Sequence, residues 1–283
     1  MSQKMPKSSQ LRLTIAQTTS SNRHSENVEA LGDIVEIAVR EGSQMLALPE
    51  AVGLMEQDYE NALSQVVSKD QDPFILACQE HAMKHGLWIQ SGSTPILGNG
   101  KKFLNHATLI SPRGEIIASY DKLHLFDIFL TGKPPTGESE RYDAGRKAVV
   151  VKTPFGRMGL SICYDLRFPH LYRDLAKSGA QIAFVPSAFT VTTGKDHWEI
   201  LLRARAIENG IWIIAAAQVG IHADGRQTWG HSLVVSPWGD IVADLGGEIT
   251  GARTLDLDLK KSQEARSQIP SLANEKPYDL VVK

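Results

Sequence analysis

One tetrapeptide pattern, Ser/Thr-Pro-x-Gly, occurs three times and restricts the fold more than any other feature. It stands at Ser111-Pro112-Arg113-Gly114, Thr153-Pro154-Phe155-Gly156 and Ser236-Pro237-Trp238-Gly239, each time between two strand-like runs. Proline presets φ for the second position of a type I turn and glycine accepts a positive φ, so each tetrapeptide closes a hairpin. Three hairpins require antiparallel sheet. Helical periodicity is interleaved with them: Val28, Leu31, Val35, Ala38 and Val39 recur at helical spacing before Gly42, and Asp72-Pro73 opens a helix that Gly86 closes. Further helices are predicted over 169–177, before Gly179, and over 196–209, the second opened by the capping-box pattern Asp196-x-x-Glu199. Strands are predicted over 11–18, in Met45–Glu50 up to Pro49, over 87–93 and 183–187, and as one run over 211–219. Elements of both kinds alternate to the end without a linker, which favours one α/β domain, 1–283, over two. Residues 129–145, rich in Gly, Pro, Glu and Thr, form the one long loop, a length that usually marks function.

Composition excludes several classes of function. With 30 basic against 32 acidic residues, net charge is −2, and no long Lys/Arg run offers a surface for nucleic acid or an anionic membrane. A small molecule is the expected partner. Two cysteines, Cys78 and Cys163, in 283 residues suit a reducing compartment, and the first ten residues carry no apolar signal core. The longest apolar run, 211–217, is far short of the roughly 18 to 20 residues that span a bilayer, so a cytoplasmic protein is expected. No GxGxxG, P-loop, CxxC, HExxH or GxSxG pattern is present, and His81 and His85, at i, i+4, are read as solvated rather than as metal ligands.

Cys163 ends the strand-like MGLSIC and precedes a helix start, where free amide N–H groups and a helix dipole favour thiolate; that is a nucleophile's position, though also one for a small buried residue. Cys78 lies on the apolar stripe of its helix, with Phe74, Ile75 and Ala82, and is read as core. Glu50, after a buried strand and a proline, is expected to be partly desolvated and raised in pKa toward a useful general base, or else to serve as a helix N-terminal charge. Lys122, just past a strand, is either an inward ammonium or a solvated surface residue. Local context leaves both choices open.

Three segments, LALPE around Glu50, SYDKLHLFD around Lys122 and GLSICYDLRFP around Cys163, resemble the signature segments of the nitrilase superfamily of carbon–nitrogen hydrolases. The resemblance runs from about Leu11 to Leu257, leaving 258–283 as a tail. PSAFTVTTGKDHWEILLRARAIENG and WGHSLVVSPWGDIVA are closer still to the Nit branch, which contains deaminated glutathione amidase and omega-amidase. The resemblance implies a four-layer αββα sandwich of two mixed sheets between helix layers, assembled as a homodimer or higher homo-oligomer through a helix layer. It implies a catalytic triad of Glu50, Lys122 and Cys163, with Glu138 as a second glutamate in the loop after the lysine, and no metal or organic cofactor. In such a scheme Glu50 takes the thiol proton, the sulfur attacks an amide carbonyl, and Lys122 with the Tyr164 N–H holds the oxyanion. Arg167, about one turn beyond Cys163, is a residue type that clamps a carboxylate or pairs with Asp165; the Nit resemblance selects the clamp and adds Phe189 and Thr193. The implied substrate is a carboxylate-bearing alpha-keto acid amide, deaminated glutathione ahead of alpha-ketoglutaramate, because residues 219–229 are more like those of the former enzymes. A nitrilase or N-carbamoyl amino acid hydrolase, and a catalytically idle interaction subunit, are the alternatives.

Overall fold

In the computed structural model, which describes residues 10–98, 100–129, 131–132 and 136–283, all three tetrapeptides close hairpins. They join Phe103–Ile110 to Ile116–Asp121, Val149–Thr153 to Gly156–Leu160, and Leu233–Val235 to Ile241–Asp244, each pair antiparallel. Gly114, Gly156 and Gly239 have φ of 75°, 139° and 93°, a region closed to most other residues.

Two mixed sheets result. The larger runs in the order Gln227–Trp229, Ala217–Ile221, Gln10–Thr18, Met45–Ala47, Trp88–Gln90, Phe103–Ile110, Thr94–Leu97. Gly251–Asp258 and Ile116–Asp121 pair antiparallel with Gln10–Thr18 and Phe103–Ile110. The smaller runs Ile241–Asp244, Leu233–Val235, Trp212–Ala215, Ile182–Phe184, Gly156–Leu160, Val149–Thr153. Parallel registers lie at the centre of each: Leu13 beside Met45 and Met45 beside Trp88 in one, Met158 beside Ile182 and Ile182 beside Trp212 in the other.

Side chains alternate across a strand, and this sorts the core into layers. Met45 and Ala47 join Leu13, Ile15 and the smaller sheet's Met158 and Leu160 between the sheets. Leu46 and Leu48 face the other way, onto Leu31, Val35 and Ala38 of the helix His24–Arg40 and Phe74, Cys78 and Ala82 of the helix Pro73–His85. Cys78 is therefore core, as read. The helices Pro169–Lys177 and Val191–Asn209 cover the smaller sheet, where Leu175 packs directly on Gly159. The layers are thus helix, sheet, sheet, helix. Among the described residues no helix is long and apolar enough to cross a membrane.

Local signals held where the chain supplies its own cap. Asp72 Oδ1 accepts from the N–H groups of Phe74 and Ile75 at 3.0 and 2.9 Å, and Gly86 ends that helix at φ 66°. Two expectations need correction. The helix expected from Asp196 begins at Val191, with Thr190 as N-cap accepting from the Thr193 N–H, and Gly194, where a Cβ would lie 2.3 Å from Trp229, lets the added turn pack against that ring. The apolar run 211–219 is two strands, not one: Trp212–Ala215 belongs to the smaller sheet and Ala217–Ile221 to the larger, so the chain crosses between sheets at Ala216. A uniformly apolar run carries no mark of such a crossing. Of the long loop, residues 130 and 133–135 lie outside the described residues. The rest holds Thr136–Gly137, which pairs as a short ribbon with Asp127–Ile128 just before the loop, and a 3-10 turn, Glu138–Glu140.

Candidate active site

Glu50 lies three residues past Met45–Ala47 in the larger sheet, and Cys163 three residues past Gly156–Leu160 in the smaller. Both strands run parallel to a neighbour, and the crevice beyond the carboxyl ends of parallel strands is where α/β proteins gather reactive groups. Here the crevices of two sheets open onto each other. Lys122 follows Ile116–Asp121 directly, and Glu138 comes from the 3-10 turn.

The four side chains form one buried cluster. Lys122 Nζ donates to Glu50 Oε1 at 3.0 Å and to Glu138 Oε2 at 2.8 Å. Cys163 lies beside Glu50, close enough that each shifts the other's proton affinity, and the second oxygen of Glu50 accepts from the Ala188 N–H at 2.8 Å. Asn105 Nδ2 adds a bond to Glu50 Oε1 at 2.9 Å, and the Phe126 N–H holds Glu138 Oε2 at 2.6 Å. Every carboxylate oxygen in the cluster thus has a donor, as burial requires.

The backbone is strained on both sides of the contact. Cys163 has φ 47° and Ala51, next to Glu50, has φ 53°, left-handed values that cost on the order of 1 to 3 kcal/mol each outside glycine. The Cys163 turn is over-determined by its surroundings. Its N–H donates to the Pro186 carbonyl at 2.9 Å, and Asp165, fully buried, accepts from the Ile162 N–H (2.8 Å), the Tyr120 hydroxyl (2.6 Å) and the His124 N–H (3.0 Å). Asp165 therefore braces the turn and does not pair with Arg167.

Two electrostatic expectations are reversed. Burial alone raises Glu50, but the Lys122 ammonium and the hydrogen bonds from Cys163, Lys122 and Ala188 outweigh it and hold the carboxyl below its ordinary value. The Cys163 thiol is not pre-ionised: burial and the Glu50 charge push it well above the usual thiol range, more than Lys122 pulls it down. The strand is followed by a five-residue 3-10 turn, not by a long helix, so the dipole invoked for a thiolate is short. Burial lowers Lys122, but the charges of Glu138 and Glu50 carry it well above the ordinary lysine value and keep it an ammonium. The arrangement is a neutral thiol beside a carboxylate, the starting point for attack coupled to proton transfer.

The cluster forms the inner end of a cavity of about 220 Å³, with Tyr164, Phe189 and Thr193 on its walls and Gln57, Arg141, Tyr142 and Arg226 also lining it. Arg167 is not among the lining residues. Its guanidinium stands over the Tyr164 and Phe189 rings, at 5.9 and 5.6 Å, and bonds to His197 Nδ1 at 3.2 Å. Phe189 in turn packs on Trp198, and Thr193 bonds to the N-cap Thr190. Asn105, Arg141 and Arg226 were not singled out by sequence reasoning, and Asp165 was considered only as a partner for Arg167. Each is a common polar residue in an ordinary strand, turn or loop, and only the fold brings it to the site.

The fold and site define a carbon–nitrogen hydrolase: the model of that family matches residues 12–267, and the chain belongs to it. It is a hydrolase of carbon–nitrogen bonds. Among relatives, it is 40% identical over 261 residues to the deaminated glutathione amidase of Synechocystis sp., covering 90% of this chain and 94% of that one. Among solved structures, the Caenorhabditis elegans NitFhit protein superposes with a TM-score of 0.86 at 36% identity, covering 94% of this chain, which spans 65% of that longer protein. The amidase from Nesterenkonia sp. AN1, seen after addition of acrylamide to its active-site cysteine, superposes at 0.76 with 28% identity, covering 92% of this chain and 98% of that one.

Proposed function

We propose that the chain is an amidase for a small, carboxylate-bearing alpha-keto acid amide, deaminated glutathione first, with Cys163 as nucleophile. The observation that carries this reading is the buried contact of Cys163 with Glu50, itself paired with Lys122 at 3.0 Å. Glu50 takes the thiol proton as sulfur bonds to the amide carbon, while Lys122 and the Tyr164 N–H accept the developing oxyanion charge. The C–N bond then breaks, and the proton held by Glu50 passes to the departing nitrogen. Water, deprotonated by Glu50 with Glu138 helping to position it, attacks the thioester; the C–S bond breaks and the proton returns to sulfur. No step calls for a metal or organic cofactor.

Arg167, Phe189 and Thr193 are proposed to recognise the keto acid's carboxylate. Phe189 and Thr193 line the cavity, and Arg167, without a carboxylate partner among the described residues, stands over two of its aromatic walls. The reading includes assembly as a homodimer or higher homo-oligomer through a helix layer, supported by Ile200 and Ile207, 68% and 53% exposed on the helix Val191–Asn209, and a cytoplasmic location. Amine or ammonia release from deaminated glutathione and alpha-ketoglutaramate is the test. Cys163→Ala is expected to abolish turnover of both, and Arg167→Lys to lower kcat/KM by about tenfold, some 1.4 kcal/mol, because charge without the planar fork loses the bidentate contact. A fully active Cys163→Ala protein overturns the mechanism.

A further inference from the structure

Two guanidinium groups, Arg141 and Arg226, line the cavity apart from the catalytic cluster. Inside, the Lys122 ammonium is matched by Glu50 and Glu138. Outside, where Gln57 is exposed and the Arg226 side chain is 37% exposed, the two cations are differently held. Arg226 is oriented by Asp224, with Nε 2.7 Å from Oδ2 of that buried carboxylate. Arg141 has no carboxylate partner among the described residues. Its Nη atoms bond only to backbone carbonyls of Gln57 and Glu56, the latter at 3.0 Å, and its Nε is buried without a partner. Glu56 also lines the cavity but makes no ion pair with Arg141: its Oε1 accepts from the Asp58 N–H at 2.7 Å and its Oε2 from Asn22 at 3.2 Å. Both arginines line the same cavity, together with Gln57 and Tyr142. A half-buried guanidinium with no ion pair and an unpartnered Nε keeps donor capacity that an anionic ligand can take up.

We propose that Arg141 and Arg226 form a second anion subsite, for a carboxylate carried by the leaving amine, so that the enzyme releases an amino acid or short peptide in preference to ammonia. The proposal rests on the amidase reading above and deepens it, since it divides recognition between the acyl side, at Arg167, Phe189 and Thr193, and the amine side. Cys163 and both arginines line one cavity. With the amide carbon at Cys163, an extended dipeptide leaving group carries its carboxylate about 7 Å from its nitrogen, so a recognition group for it must stand apart from the triad, as these two arginines do. Ammonia offers these arginines nothing.

The experiment compares kcat/KM for deaminated glutathione, which releases Cys-Gly, with the same compound amidated at its C-terminal carboxylate, and with alpha-ketoglutaramate. In the wild type, amidation is expected to lower kcat/KM by about tenfold, mainly through KM. In Arg141→Met and in Arg226→Met the ratio between acid and amidated substrates is expected to collapse by about fivefold or more. A merely structural role moves both substrates together and leaves that ratio unchanged, which overturns the subsite whatever the absolute rates. A wild type that prefers alpha-ketoglutaramate also overturns it while the amidase reading stands. Binding separates the remaining case: Cys-Gly titrated calorimetrically into the Cys163→Ala protein should bind about fivefold more weakly once Arg141→Met is added. No turnover with that difference intact overturns the function alone, and binding indifferent to Arg141 overturns the subsite.

Discussion

Replacing Lys122 by Met keeps the aliphatic stem and deletes the ammonium, leaving Glu50 and Glu138 facing each other. The three side chains are only 3%, 7% and 13% exposed, with N–O distances of 3.0 and 2.8 Å. Removing one partner of a buried ion pair costs about 3 to 5 kcal/mol, because the survivor stays charged in a medium of low dielectric. Here the survivors keep the donors Asn105 Nδ2, Ala188 N–H and Phe126 N–H, which places the cost near the lower limit, about 3 kcal/mol. Its pH dependence follows from Glu50. In the wild type the folded pKa lies below the unfolded one, so its stabilisation is present above the unfolded value and lost as pH falls through the folded value. Without Lys122, burial is no longer outweighed and the folded value moves above the unfolded one, so the mutant regains stability as pH falls. Urea unfolding at about pH 8 is expected to show the full deficit, and at about pH 5.5 a deficit smaller by about 1.4 kcal/mol or more, the equivalent of one pKa unit. An equal deficit at both values refutes the reasoning. In the same protein kcat should fall by about a hundredfold or more, as for loss of an oxyanion donor.

Because the Cys163 thiol lies well above the usual thiol range, its alkylation by iodoacetamide should keep rising with pH up to about 9, and a plateau near neutral pH contradicts the assigned charge state. Asp165→Asn keeps the shape but loses acceptor capacity at a fully buried point that receives three or more donors; a stability loss of about 1 to 3 kcal/mol with a larger loss in kcat than in KM is expected, and an unchanged kcat removes Asp165 from bracing the Cys163 turn. Cys78→Ala removes one sulfur from the layer between the larger sheet and its helices; activity is expected to persist with a modest cost of about 1 kcal/mol in denaturant unfolding, and a folded but inactive variant transfers the nucleophile's role away from Cys163.

What was legible in the sequence is what short stretches of chain decide for themselves. A proline and a glycine two residues apart set a turn whatever surrounds them, so all three hairpins were readable, and so was the helix capped by Asp72 and closed by Gly86. The apolar stripe that buried Cys78 is local as well. Glu50, Lys122 and Cys163 were visible as residues, through their resemblance to family signatures, but their electrostatics were not. Whether a buried carboxyl is raised or lowered depends on which cation lies 3.0 Å away, and that cation is 72 positions along the chain, brought in by the meeting of two sheets. Tertiary context also decides the run that changes sheets at Ala216, where two strand pairings were locally acceptable, whereas the helix start at Val191 rests on a local cap, Thr190, that the competing Asp196 pattern obscured. Arg141 and Arg226 mark the far limit of sequence reading, since an arginine's charge is plain in any chain, but whether anything neutralises it depends on tertiary structure alone.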